Sequence, residues 1–297
     1  MATIAVSGIT NIELSGRVDG FPLERGDGVV GGAADWSVSG VGWNIAHALV
    51  TLGHRVRFLT FLADDPLSHV IRGELARYEK VDLIGIQAPE TPRSIALVAD
   101  DGSRAIISDR RGADQIPIAA DLARSVLAGC DLAVLTNMSV NRPLFGIAAE
   151  VGVPTSVDLH IVRDLDHGYD ADFVRDATLL FMSADGFPAA PADCLLQLRS
   201  KARHALALTC GMGAQGAMTL ERDRETPIVA PAVAPQGVVD TTGAGDALHA
   251  AFVDGFLRGL PAEATLRRAV HFAGCKVGVR GASGGHISLA ELEAAMK

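Results

Sequence analysis

Cysteine is scarce in this chain of 297 residues: Cys130, Cys194, Cys210 and Cys275 are all there is. No two of them form a C-x-x-C pair, which excludes a zinc ribbon and a disulfide framework and leaves buried thiols in a reducing compartment. Apolar runs are short. None approaches the roughly 18 residues of a membrane-spanning helix, and the opening Met-Ala-Thr-Ile-Ala-Val-Ser-Gly lacks the basic start and apolar length of a signal peptide. Basic clusters are missing as well. With 26 Lys and Arg against 35 Asp and Glu the formal net charge is −9, so an extended nucleic-acid footprint is not expected. These absences point to a cytoplasmic protein with neither membrane nor nucleic acid as a partner. Two catalytic strings are also missing, the G-x-x-x-x-G-K-[ST] phosphate loop and the G-x-S-x-G elbow. His160 lies near Asp158, and His167 near Asp164 and Asp166, but neither group has metal-site spacing with a third ligand in view. They read as loop or strand-end residues.

What the chain does have is a core and an alternating pattern. Hydrophobic residues are 48% of the total and charged residues 21%, ordinary values for a globular protein with a sizeable interior. Strand-length apolar runs occur at Ile4–Val6, Val56–Phe61, Leu132–Leu135, Thr155–Val157, Leu179–Met182 and Ala205–Leu208. Helical spacing joins Val41, Ile45, Ala48, Leu49 and Leu52, then Leu67, Val70, Ile71 and Leu75, then Leu144, Ile147, Ala148 and Val151. Gly53 stands where a helix-ending residue belongs, and Asp65-Pro66 opens the second helix as cap and first residue. A last pair is expected at Ala262–Val279 and after the capping box Ser288-Leu-Ala-Glu291. Nearly continuous apolar strands alternating with helices predict a doubly wound, mainly parallel α/β/α layer.

Two stretches break the alternation. Residues 11–38 carry Gly16, Gly20, Gly26, Gly28, Gly31 and Gly32 and fit no helix. Ser94–Ala99 and Arg104–Ser108 flank Asp100-Asp101-Gly102 and read as a hairpin.

The chemistry is concentrated in Asp240-Thr241-Thr242-Gly243-Ala244-Gly245-Asp246, which runs into a helix. Glycines at such a junction free backbone N–H groups to face a ligand, and the first turn of a helix favours an anion. An aspartate in that turn would repel a phosphate, so its task is a different one: taking the proton of a hydroxyl that attacks a phosphoryl group. An earlier junction, Ser39-Gly40-Val41-Gly42-Trp43-Asn44, lets a small polar ligand approach the main chain, and Asn44 offers both donor and acceptor to vicinal hydroxyls.

The first string resembles the D-T-x-G-A-G-D signature of the ribokinase-like (PfkB) carbohydrate kinase family, and the second resembles its G-G-x-x-x-N-x-A signature, with Ser39 in place of the first glycine. The resemblance implies a three-layer ribokinase-like domain over 1–297, with a small β-sheet lid from segments near 11–38 and 93–112. It implies ATP-dependent phosphorylation of a hydroxymethyl group of a sugar or sugar-like acceptor. Asp246 is then the base, and the amides of Gly243, Ala244 and Gly245 form the anion hole. Asn11, Glu13, Gly40, Val41, Gly42 and Asn44 hold the acceptor. Thr209, Gly211 and Gly213 of a T-x-G segment, with Thr242, Gly243 and Gly245, face the nucleotide.

The family's N-x-x-E segment is altered, with Ser183 and Gly186 at its two ends, so Asp185 is the weak candidate for handling Mg²⁺. Asp240 is a candidate for a monovalent cation such as K⁺, with carbonyls of the loop 277–285, or else a brace for its own turn. Arg110 and Arg111 either reach a phosphate or are solvated. Trp43 either stacks on a ring or packs. Asn11-Ile12-Glu13 together with G-V-G-W-N-I-A is close to what pseudouridine kinases show, which keeps a nucleoside acceptor open. A ligand-binding regulator that kept the fold without catalysis is the alternative from another class. The edges of the lid strands would allow a homodimer.

Overall fold

The computed structural model describes residues 1–23, 34–99, 104–166 and 168–297. Gly26, Gly28, Gly31 and Gly32, the turn at 100–102 and His167 lie outside the described residues. In chain order the strands are β1 (Thr3–Ser7), β2 (Asn11–Val18), β3 (Ala34–Ser39), β4 (Arg55–Leu62), β5 (Val81–Gln87), β6 (Arg93–Ala99), β7 (Arg104–Asp109), β8 (Leu132–Leu135), β9 (Thr155–Ile161), β10 (Leu179–Ser183), β11 (Ala207–Gly211), β12 (Ala217–Glu221) and β13 (Ile228–Ala230). The helices are α1 (Val41–Thr51), α2 (Pro66–Leu75), α3 (Ala120–Leu127), α4 (Arg142–Glu150), α5 (Ala171–Asp176), α6 (Pro191–Arg199), α7 (Ala244–Leu257), α8 (Ala262–Lys276) and α9 (Leu289–Ala295). No helix among the described residues is long and apolar enough to cross a membrane.

The large sheet has the order β13-β12-β11-β10-β9-β8-β1-β4-β5 and is parallel except at β11-β12-β13. Its inner strands are apolar on both sides: all four residues of β8 are buried, as are Ile4, Ala5 and Val6 of β1. Two cores follow. One face packs on α3 to α6 through Val126, Leu144, Phe173 and Leu195. The other packs on α1, α2 and α7 to α9 through Leu49, Ile71, Phe252, Phe272 and Leu292. This is the three-layer, doubly wound fold. The order reverses between β8 and β1, and in such sheets the crevice beyond the carboxyl ends of the strands is where ligands bind.

A second sheet, β3-β2-β6-β7, stands apart from the first. The two irregular segments of the sequence supply it, β2 and β3 from the first and the hairpin β6–β7 from the second. Their joint is the parallel pairing of β2 with β6, Ile12 opposite Arg93 through Val18 opposite Ala99.

Some boundaries differ from expectation. The strand expected at Ala205–Leu208 pairs only from Ala207, opposite Leu179, because Ala205 N–H still closes a turn onto Ala202 O (3.3 Å). The helix after Pro261 ends at Lys276, where Gly278 and Val279 donate three residues back in a tighter turn.

One buried carboxylate orients α7. Asp254 accepts from His54 (2.9 Å), Arg258 (2.6 Å) and Arg268 (3.1 Å), tying this helix to the α1–β4 corner and to α8. Burial works against its charge, yet these bonds hold its carboxyl below the usual aspartate range.

Candidate active site

A cavity of about 320 Å³ opens where the two sheets meet the first turn of α7. That volume suits a small ligand. Its walls come from β2 and β6–β7 of the small sheet, the start of α1, the ends of β8 and β9, and the loop 241–246.

Asp246 sits in the first turn of α7, buried, and Asn44 Nδ2 donates to its Oδ2 at 2.8 Å. Ser39 Oγ in turn donates to Asn44 Oδ1 (3.4 Å), so the serine that replaces the signature glycine steadies the asparagine. Burial pushes the Asp246 carboxyl up to about 6; the charges of Asp158 and Glu13 add to that, while the Asn44 bond and His160 pull the other way. The group is thus a stronger base than a free aspartate while still ionised at neutral pH.

The residues expected to hold the acceptor include a hydrogen-bonded set. Asn11 Nδ2 donates to Ser94 Oγ (2.9 Å), and Ser94 Oγ donates to Glu13 Oε2 (3.1 Å). Asn11 Oδ1 is buried and has no hydrogen-bond partner among the described residues, which leaves an acceptor of this cavity-lining residue unused. Burial raises the Glu13 carboxyl above its ordinary value despite the Ser94 bond. Gly40 and Val41 line the cavity with these residues. Gly42 does not. A Cβ there would lie 2.6 Å from the Gly8 carbonyl carbon, so its task is to let α1 press against the end of β1.

The segment expected to form an anion hole lies at the mouth of α7, and all but one of its residues line the cavity. Gly243 caps α7 at φ +80, and a Cβ on it would meet Ala282 O at 2.2 Å, so both conformation and space demand glycine. Gly243, Gly245 and Thr242 reach the cavity. Ala244 departs from expectation: its N–H closes a turn onto Thr241 O (3.2 Å). Arg104 adds a positive charge to this wall and donates to Thr242 Oγ1 at 3.4 Å.

The structure does not bring the T-x-G residues here. Thr209 is buried between strands with its hydroxyl 2.9 Å from Thr219 Oγ1, and Gly211 and Gly213 lie at the open end of β11. Asp185 is exposed and away from the cavity. Nor could Gly186 carry the missing glutamate, since a Cβ would stand 2.5 Å from Ile161 Cγ2 and 2.9 Å from Val162 O. No cluster of three metal-ligating side chains occurs among the described residues.

Asp240 Oδ1 accepts from Thr242 N (2.8 Å) and Oδ2 from Gly281 N (2.9 Å). Burial opposes its charge, but these bonds keep the carboxyl below its ordinary value. Both oxygens are engaged in bracing. The ammonium of Lys276 is buried on Val279 O of the facing loop at 3.1 Å. A second cation there would be set against the first, so these residues do not suit K⁺.

Several lining residues carry no motif. Thr136, Asn137, Asp158 and His160 stand at the ends of β8 and β9, and strand-end position beside the reversal of order was the available signal. Asp158 Oδ1 accepts the His160 N–H (2.8 Å). Arg104 and Ser94 enter through the small sheet, which only long-range pairing builds. Arg110 lines the cavity and pairs with Asp114 (3.4 Å), while Arg111 pairs with Asp109 (2.9 Å) and Glu90 (3.4 Å). Trp43 is core: it stacks on His47 and packs edge-on to Tyr78.

Comparison with known proteins concerns the chain as a whole. A family model described as pfkB family carbohydrate kinase matches residues 1–136 and 172–288. The chain is 30% identical over 267 residues to an acarbose 7(IV)-phosphotransferase from an Actinoplanes species, covering 89% of this chain and 88% of that one. It is 26% identical to a deoxyribokinase of Salmonella typhi, covering 96% of each. Among solved structures, a microbiome-derived acarbose kinase superposes with a TM-score of 0.90 at 22% identity, over 99% of this chain and 98% of that one.

Proposed function

The chain belongs to the pfkB family of carbohydrate kinases, and from that premise we propose that it transfers the terminal phosphoryl group of ATP to a hydroxymethyl group of a sugar or sugar-like acceptor. The observation that carries this reading is the bond between Asn44 and Asp246, 2.8 Å long. It clamps a hydroxyl-binding residue of α1 to a buried carboxylate in the first turn of α7, so acceptor and base are held together. Asn11, Glu13 and Asn44 orient the acceptor, and Asp246 takes the hydroxyl proton. The freed oxygen forms a bond to the γ-phosphorus as the bond to ADP breaks. The amides of Gly243 and Gly245, with Arg104, face the charge that builds on the transferring group.

Mg²⁺ comes with the nucleotide and shields its phosphate charge; Asp158 is the further carboxylate on the cavity wall that would face it. The small sheet works as a lid on one domain, excluding water when the acceptor is bound. The cytoplasm, where ATP is made available, is the setting. Asp246→Asn should keep ATP binding and lose turnover; turnover equal to wild type would remove Asp246 as the base.

A larger glycoside is favoured over a nucleoside as acceptor. The cavity shares Arg110, Asn137 and His160 with an adjoining pocket walled by Asp114, Ser139, Leu159, Ile161 and Tyr169, where a second ring would fit. Trp43, the ring that would have stacked on a nucleobase, is inside the core. Phosphorylation assays with ATP, Mg²⁺ and deoxyribose, ribose, acarbose, adenosine or pseudouridine separate these readings from each other. A regulator without catalysis would bind one of them and consume no ATP.

A homodimer through the lid is also proposed. Trp36, Leu14, Ile95 and Ile107 face one another in register across all four strands of the small sheet, and all four are exposed. Ile107→Glu should yield a monomer in light scattering if this row is the interface; an unchanged oligomeric state would exclude it.

A further inference from the structure

Lys276 ends α8 and has no exposed surface. A lysine that only closes a helix reaches water from the last turn, along its flexible stem. Burying an ammonium costs several kcal/mol unless charges and hydrogen bonds compensate. Among the described residues its one hydrogen bond is to Val279 O, at 3.1 Å. Its surroundings are otherwise a field: burial weakens its charge, Asp240 supports it most, then Asp246 and Glu13, and Arg104 opposes it.

The position of Lys276 in the chain gives that field a purpose. Two segments are laid against each other beside it. Val239 and Asp240 both donate their N–H to Val277 O, at 2.8 and 3.0 Å. Gly281 N–H returns a bond to Asp240 Oδ2, and Gly243 is pressed against Ala282 O closely enough to exclude a side chain. The segment 239–243 that sets the N-terminus of α7 therefore rests on the loop 277–282. Lys276 lies at the root of that loop and holds it by a carbonyl. The Val279 carbonyl on one side and the charge of Asp240 on the other make an environment that calls for a positive charge.

We propose that the Lys276 ammonium is a built-in monovalent cation for this site: a positioning charge that keeps the loop 277–282 under Asp240–Gly243 and so keeps the Gly243 and Gly245 amides aimed into the cavity. The enzyme then needs no added K⁺. Lys276 touches neither acceptor nor phosphate in this role. The proposal rests on the kinase reading for its kinetic readout only.

The test compares wild type with Lys276→Met and Lys276→Arg in choline chloride and in potassium chloride at equal ionic strength. Turnover is measured with the acceptor that the phosphorylation assays identify, and thermal unfolding is followed in the same buffers. Wild type should show the same turnover and melting temperature in both salts. Lys276→Met should lose about ten-fold or more of kcat in choline, regain part of it in potassium, and melt higher in potassium than in choline. Lys276→Arg, which keeps the charge, should stay closer to wild type.

A wild-type enzyme that needs potassium overturns the proposal while leaving the kinase reading intact. So does a folded Lys276→Met variant whose turnover and melting ignore the identity of the cation, which would make Lys276 a purely structural cap. If no acceptor is phosphorylated by any variant, the kinase reading fails, and the melting comparison alone decides the role of Lys276. If Lys276→Met does not fold, Lys276→Gln replaces it, and failing that the wild-type comparison decides.

Discussion

The two halves of this site are built differently. The half proposed to hold the acceptor, Asn11, Glu13, Asn44, Ser94 and Asp246, is buried and held by side-chain hydrogen bonds, two within the small sheet between β2 and β6 and one from α1 to α7. The half proposed for the nucleotide is main chain on open ground outside that cavity: the carboxyl end of β11, the exposed Gly213, and the segment 183–186 with no carboxylate turned to the cavity. Hydroxyl recognition and a shifted base need fixed, desolvated side chains. A nucleotide brings its own charge and its own metal, so backbone amides and an open groove suffice. Side-chain changes should therefore hurt the first half far more than the second.

The largest expected effect is at Asp246. Asp246→Asn should lower kcat by about 10²- to 10⁴-fold with the ATP affinity, measured by calorimetry, kept; a loss of ATP affinity instead would blur the boundary between the halves. Gly243→Ala comes next. Its Cβ would collide with Ala282 O, and a displaced amide should cost about 10²-fold in kcat, read against an unchanged circular dichroism spectrum. If it is benign, the amide does not aim at the reaction.

Asn44→Ala sharpens the contrast in another way. Asp246 must be ionised to accept a proton, and its carboxyl is pushed up to about 6. The rate for wild type should therefore be sustained above that pH and fall as pH drops through it. Removing the Asn44 bond takes away a contact that lowers this value, so the acid limb should move to higher pH, with kcat down about ten-fold. An acid limb that stays in place would mean that another group controls it. The smallest effect is expected at Thr209. Its hydroxyl is spent on Thr219 inside the sheet, so Thr209→Val should cost about 1 kcal/mol of stability by denaturant titration and leave KM for ATP unchanged. A raised KM would return this residue to the nucleotide site.

The same division governs what could be read from the sequence. Asp240–Asp246 and Ser39–Asn44 are local strings whose geometry is set within a few residues, by a glycine at φ +80 or a close approach to Gly8. They carry the proposed base, the proposed anion hole and the asparagine that bonds to Asp246. Arg104, Ser94, Asp158 and His160 belong to the cavity only because β2 pairs with β6 and because β8 and β9 end at the reversal of strand order. No spacing along the chain encodes that. The strands β12 and β13 went unread since they are short and antiparallel at the edge of a sheet otherwise parallel. Helix α5 spans six residues, too few for a period to show. Gly186 is the instructive departure: the sequence revealed that a carboxylate was missing, while only the structure shows the segment after β9 filling its place.

The Asn44–Asp246 bond also has a consequence in time. Its partners are 202 residues apart in sequence, and synthesis proceeds from the N-terminus. While the first half of the chain is emerging, Asn44 has no Asp246 to bond to. The carboxylate arrives only with α7, whose orientation by Asp254 further waits on Arg268 of α8. If Asp246 is the base, a nascent or truncated chain without α7 has no complete phosphotransfer centre, and competence to spend ATP is acquired in the last stage of folding.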